Sequence, residues 1–313
     1  MNKKLSKIDI SDLFEKVELS NDESEKLAVE PYSYWKSVFK IFFRSKVAII
    51  ALVTVISTIL CAIFIPIFMP LEVGYDLSNK LASPSLQHWF GTDNIGADLF
   101  RKVWVAAQKS LGIAAIVAVI NAVNGIVIGA CWGYFRKLDP IMVEVYNFIT
   151  NIPSLLLYML ILLVLSTANK TSSEFNLIFA MTITGWIGLA RFIRNQIIII
   201  GDREYNLASK TLGSSPITII VHNLLPFILP VIITSISMSI PAVIGNEVGL
   251  SYFGLGLEST AISLGRVLTA GYADWVDFPH VLLFPALILG VITVSFYLMG
   301  QVLSDALDPK THR

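Results

Sequence analysis

Residues 203–226 read REYNLASKTLGSSPITIIVHNLLP. The stretch carries Arg203, Glu204, Lys210 and His222, yet apolar runs long enough to cross a membrane flank it on both sides. Asp202 can cap the start of a short helix, with Glu204 in its positive first turn and Lys210 in its last. Gly213 can take the left-handed conformation that ends such a helix. Tyr205, Ala208 and Leu212 then share one narrow apolar stripe at helical spacing. Ser215 caps a second helix, with Pro216 at its first position, leading through Ile217–His222 into the next apolar run. A free helix of about ten residues is marginal in water. One that is capped, charge-matched and striped needs a surface to dock on. The rest of the chain offers little soluble mass, so that surface is expected on another subunit.

The surroundings are those of a membrane protein. Of 313 residues, 55% are apolar and 15% charged, where soluble domains run nearer a quarter charged. The formal net charge is zero, so no basic field points to a nucleic-acid partner. Cys61 and Cys131 fall inside apolar runs and read as small embedded side chains, neither bridged nor metal-bound. His88, His222, His280 and His312 are scattered without metal-ligand spacing. No GxxxxGK[ST] phosphate loop occurs, so the chain cannot cradle ATP in the usual way. GLG at 254–256 lacks the βαβ setting of a dinucleotide site. No histidine pair, carboxylate pair or nucleophile elbow suggests an enzyme.

The expected fold is an all-α integral membrane protein with six transmembrane helices, N-in and C-in, preceded by a short interfacial helix. Residues 1–32 are polar and mixed in charge, and read as a flexible cytoplasmic tail without a cleavable signal peptide. In 33–46, Trp35, Phe39, Phe42 and Phe43 alternate with Lys36, Lys40, Arg44 and Lys46, the pattern of a helix lying in the membrane interface. The transmembrane domain then runs over 47–310. Its spans are expected at about 47–69, 108–134, 146–168, 176–197, 225–246 and 281–303, with a cytoplasmic loop over 198–224. Lys and Arg favour the cytoplasmic flanks roughly twofold, although Arg101, Lys102 and Lys109 run against the rule. Gly125, Gly129 and Gly133 form a repeated GxxxG for close helix approach. Asn121 and Asn124 share a face, for interhelical hydrogen bonding or, less simply, solute contact. Pro230, Pro241 and Pro285 are expected to kink the last two spans.

Several stretches resemble one family. Glu204-Tyr205, Leu207-Ala208-Ser209, Gly213 and His222-x-x-Leu225-Pro226 resemble the EAA loop of ABC importer permeases. HWFGTDNIGADLF (88–100) is similar to the H-x-x-G-T-D-x-x-G-R-D signature of the oligopeptide/dipeptide branch. EVGLSYFGLGL (247–257) and GQVLSDALDP (300–309) resemble two further runs of its second, OppC-type permease. The resemblance spans about 33–310 in chain order. Ala97, Ser209 and Ser304 depart from the family pattern, and the proline-rich stretch usual after 257 is absent.

The resemblance implies the type I importer permease fold. It also implies a multi-pass subunit of the cell membrane that forms half of a pathway for oligopeptides and is itself non-catalytic. The implied partners are a homologous second permease in a heterodimer, two cytoplasmic ABC ATPases holding ATP and Mg, an extracellular peptide-binding protein, and the lipid bilayer. Arg203, Glu204, Tyr205, Ala208, Ser209, Leu212 and Gly213 would couple to the ATPases. Ser235, Met238 and Ser239 are candidates for lining the pathway, with hydrogen bonding inside the bundle as the plainer role. Arg191 and Arg194 would anchor the coupling junction or snorkel to the interface. A same-class importer of nickel or a metal chelate shares these motifs. A secondary transporter is the rival of another class, and it would place ionisable groups near the midplane. Glu144 and Glu247 fall instead at expected span ends.

Overall fold

Why the chain forms these helices is clearest at their ends. The computed structural model describes residues 34–71, 77–168, 172–258 and 260–307, with no strand among them. The expected tail 1–32, Lys170 and the Asp308-Pro309 end of the last motif lie outside the described residues. Helix α1 (Tyr34–Arg44) buries Val38 and Phe42 against Ala306 and Leu307 and leaves Trp35, Phe39 and Phe43 exposed. Ser45 stops it and caps α2 (Lys46–Phe68), accepting from the Ala48 amide at 3.3 Å. Helix α3 (Leu99–Tyr134) starts well before the expected 108 because Asp98 caps it, accepting from the Arg101 amide at 2.9 Å. At 36 residues it is about 54 Å long, far more than the ~30 Å hydrocarbon core. Its early turns hold the three cations that ran against the charge bias. Lys102 pairs with Asp93 and Lys109 with Glu174.

The third span differs from expectation. In place of one helix over 146–168, α4 (Asp139–Thr150) and α5 (Ser154–Ala168) meet at 87°. Pro153 disfavours helical geometry at Ile152 and has no amide to donate, so the break falls there. The 15 residues of α5 reach only about 22 Å. The fourth span comprises α6 (Ser173–Thr184) and α7 (Ile187–Gly201), joined at Gly185-Trp186. Asn121 Nδ2 donates to the Met181 carbonyl at 3.4 Å, which is the interhelical role expected for it.

After α8 (Glu204–Thr211), α9 runs as one helix over Pro216–Tyr252, longer at both ends than the expected 225–246. Its turns at Ile219–Leu224 are π-helical, and the Leu225 amide reaches back to the Ile220 carbonyl. Pro226 explains this: its ring would strike the carbonyl four residues back, so the preceding turn widens. Past Pro230 and Pro241 the helix continues unbroken, as does α11 (His280–Leu307) past Pro285. Between them lies α10 (Leu264–Asp274), a helix where only a loop was expected. Ser263 caps it, accepting from the Arg266 amide at 3.3 Å.

The GxxxG stripe works as the sequence suggests. Helix α7 lies along α3, with Leu189 over Gly125, Ala190 over Gly129 and Arg194 and Ile197 over Gly133. The core runs down the contacts of α3 with α2, α7 and α9, closed by α11. The chain therefore has two polar ends, one at residues 79–102 and 257–280 and the other at 134–139 and 201–224.

Candidate functional site

The second polar end holds the 203–226 unit. Arg203, in extended conformation, stands at the N-cap of α8 without a side-chain cap bond. Asp202 does not cap, contrary to expectation. The Arg136 guanidinium on the neighbouring turn draws its carboxylate away, at 3.2 Å. Glu204 opens the helix and Lys210 lies in its last turn, each where the positive and negative helix ends favour them. Gly213, at φ +84°, ends the helix. The Ser214 amide donates to the Ser209 carbonyl and the Gly213 amide to that of Lys210, at 3.1 and 3.2 Å. These two bonds satisfy the last carbonyls and set the direction in which the chain leaves. Ser215 then caps α9, its Oγ accepting from the Thr218 amide at 3.2 Å.

The stripe of α8 is exposed along its length. Tyr205, Ala208 and Leu212 are exposed, Leu212 at 84%. Tyr205 lies beside Phe227 of α9, with ring centres 6.1 Å apart, whereas Ala208 and Leu212 stand open. The helix is held to the bundle by two asparagines that sequence reasoning missed. Asn206 donates to the Ile200 carbonyl at 2.8 Å, and Asn223 donates to Ser209 Oγ at 3.3 Å. Ser209, an alanine in the family pattern, thus gains a bond to α9. The sequence signal was present: asparagine is a poor helix former and earns its place through specific hydrogen bonds.

Arg191 and Arg194 reach α4 rather than α8. The Arg194 fork binds Asp139 at 2.8 and 2.7 Å, and the Arg191 guanidinium lies 4.0 Å from the Tyr146 ring centre, so both clamp α4 to α7. Trp132 Nε1 adds a bond to Asp139 at 2.8 Å. Partial desolvation would raise the Asp139 carboxyl, but the bonds from Arg194 and Trp132 and the nearby guanidinium charges prevail and hold it below the usual value.

The opposite end is equally specific. Asp93 accepts from the Ile95 and Ala97 amides at 2.9 Å, and Asp98 pairs with His88 Nδ1 at 2.8 Å. The GTD segment is therefore the folded cap of α3. Glu247 was expected at a span end. It lies inside α9, 1% exposed, and accepts from Ser110, Ser251 and Ser263 at 2.9, 3.1 and 2.7 Å. Ser110 Oγ in turn accepts from the Leu264 amide at 3.0 Å. The carboxylate thus sits at the positive N-terminus of α10 and ties it to α3 and α9.

Of the pathway candidates, Met238 packs its Cγ where a Cβ at Gly300 would lie 2.8 Å away, at the crossing of α9 and α11. Ser239 Oγ donates within α9 to the Ile236 carbonyl at 2.8 Å, and Ser235 is half-buried. The structure thus leaves Ser235 and Ser239 on one face of α9 and turns Met238 towards α11.

Residues 125–313 match the family described as the binding-protein-dependent transport system inner membrane component. Residues 33–84 match the N-terminal TM domain of oligopeptide transport permease C. The oligopeptide transport system permease protein AmiD of Streptococcus pneumoniae is 38% identical over 96% of this chain and 97% of its own length. OppC of Bacillus subtilis, an oligopeptide transport system permease protein, is 33% identical over 96% and 98%. The dipeptide transport system permease protein DppC of Bacillus subtilis is 35% identical over 77% and 74%. Among solved structures, a chain of the inward-facing MetNI methionine ABC transporter superposes with a TM-score of 0.50. It is 19% identical and covers 67% of this chain and 95% of that one. The fold, the folded loop at 203–226 and relatives aligned nearly end to end agree: the chain belongs to the binding-protein-dependent transport system inner membrane components, in their oligopeptide permease C branch.

Proposed function

We propose that this chain is the permease subunit of an ABC importer that carries oligopeptides, and that α8 is the helix by which separate ATPase subunits drive it. One observation carries the coupling role: Ala208 and Leu212 stand open, with Tyr205 exposed beside Phe227, on a helix that Gly213 ends and hydrogen bonds fasten to α7 and α9. The relatives named for oligopeptides and dipeptides support the solute class over a nickel chelate. A second, homologous permease would complete the pathway, and a binding protein would deliver solute at the end formed by 79–102 and 257–280. ATP and Mg would stay on the ATPases. Their closure would push α8, and α7 and α9 would pass the movement to the bundle. Arg203 and Glu204 would add polar contacts at the rim of that interface, and Ser235 and Ser239 would border the pathway.

Two measurements test this reading. Cysteines at Asn94 and Ser214 stand at opposite ends of α3, both exposed. The one at Asn94 is expected to react with an impermeant maleimide in intact cells, and the one at Ser214 only after permeabilisation. The reverse pattern would invert the topology. The second test is Gly213→Val. A side chain at 213 meets no atom within 4 Å, so its cost is the left-handed backbone alone, about 1–2 kcal/mol or more for a branched residue. That is enough to redirect the turn without unfolding the spans. Uptake of a labelled oligopeptide is expected to fall at least about tenfold, since each 1.4 kcal/mol is one such step, at normal membrane abundance. Glu204→Ala should lose less, seen as weaker co-purification of the ATPases. Wild-type transport by both variants would reduce the unit to a connector.

A further inference from the structure

Behind α8, between it and the ends of α3 and α7, lies a cleft of about 100 Å³, bordered by Tyr134, Arg136, Ile197, Asp202, Asn206 and Lys210. One water needs only about 10–15 Å³ of such space, so the cleft has room for a group of several heavy atoms. Asn206 is 3% exposed. Its Nδ2 donates to the Ile200 carbonyl at 2.8 Å, which sets the amide orientation, since the flipped form would face two oxygens. Oδ1 is then committed as an acceptor, and it is buried without a partner. A buried acceptor left unpaired is a standing cost that an incoming donor removes.

The rim adds charge. Arg136 and Lys210 face one carboxylate, Asp202, which Arg136 engages through a single nitrogen at 3.2 Å. Lys210 Nζ lies 5.9 Å from the Tyr134 ring centre, and among the described residues no carboxylate pairs with it. A metal ion would meet two cations here. A simple carboxylate would offer no donor to Asn206, and water alone would leave the charge unanswered.

We propose that this cleft binds a phosphate ester that also carries a hydroxyl. The hydroxyl donates to Asn206 Oδ1, and the phosphate oxygens accept from Lys210 and from the free edge of Arg136. Two sources share this chemistry: the glycerol headgroup of an anionic phospholipid, and a soluble polyol phosphate. Bound there, the ester bridges Lys210 on α8 to Arg136 beyond α3 and stiffens the helix against the bundle. That consequence rests on the coupling role of α8. The binding does not.

The test is titration calorimetry of the purified full chain in neutral detergent, without ATPases, so failure of binding and failure of coupling remain separate results. The probes are short-chain phosphatidylglycerol, glycerol 3-phosphate and short-chain phosphatidylmethanol, which is anionic but has no hydroxyl. Saturable binding of phosphatidylglycerol is expected, about tenfold tighter than phosphatidylmethanol and about tenfold weakened by Lys210→Gln, the scale of one charge-assisted hydrogen bond. Lys210 is exposed, so this variant retains the fold. Glycerol 3-phosphate binding as tightly as the lipid supports the soluble source, and much weaker binding supports the lipid. The proposal is overturned by absence of saturable binding, by equal affinity for phosphatidylmethanol, or by indifference to Lys210→Gln.

Discussion

Gly129→Leu is expected to leave little folded protein in the membrane. A Cβ at this position would lie 2.6 Å from the Ala190 carbonyl oxygen and 2.8 Å from Ala190 Cα. Both are backbone atoms of α7, which cannot swing aside as a side chain can. The two helices would have to part along the whole stripe, and Leu189 and Ile197 would lose their seats on Gly125 and Gly133. Overpacking a tight contact costs about 1–3 kcal/mol, and a contact made by backbone belongs at the upper end or beyond. Gly112→Ala is the control, because nothing lies within 4 Å of a Cβ there. The measurement is the yield of monodisperse full-length chain after detergent extraction, with its thermal midpoint. A wild-type yield and midpoint for Gly129→Leu would show that α3 and α7 do not pair this way.

The second large loss is expected from Glu247→Ala. Three serine hydroxyls from α3, α9 and the start of α10 donate hydrogen bonds to this one carboxylate. Removing it strands them in a buried site at about 1–3 kcal/mol for an unsatisfied group, and leaves a void beside them. Gly265 approaches so closely that a Cβ would lie 2.7 Å from Glu247 Oε1, so the surrounding backbone is fitted to the carboxylate. Glu247→Gln keeps one acceptor and the shape, so its loss should be clearly smaller. Limited proteolysis at 253–262 and the thermal midpoint would both report it, because α10 would come free of α3 and α9. Equal behaviour of alanine, glutamine and wild type would mean that the network contributes nothing to holding α10.

The contrast between these two sites shows what could be read in advance. The GxxxG stripe was legible because glycine at helical spacing has one physical use in an apolar helix, close approach. Which helix approaches was not legible. Glu247 was visible only as a charge near a span end, since its partner Ser110 stands 137 residues earlier. No local pattern encodes a hydroxyl arriving from that distance.

The same division runs through the rest of the chain. Long apolar runs, Lys and Arg bias, the cap at Ser215 and the left-handed Gly213 are properties of near neighbours, and near neighbours are what a sequence displays. By itself it therefore determined a helical membrane protein with a short polar helix, ended by Gly213, between two long apolar runs. The tertiary structure decided whatever depends on a distant competitor or partner. Asp202 could cap α8 in isolation, but Arg136 across the turn offers its carboxylate a full charge and takes it. Arg194 could reach lipid headgroups, but Asp139 presents a matching fork from α4. Asn206 and Asn223 look like weak helix residues until the Ile200 carbonyl and Ser209 come within bonding distance. A side chain with two possible partners goes to the one that folding brings nearer, and only the packed structure holds that distance.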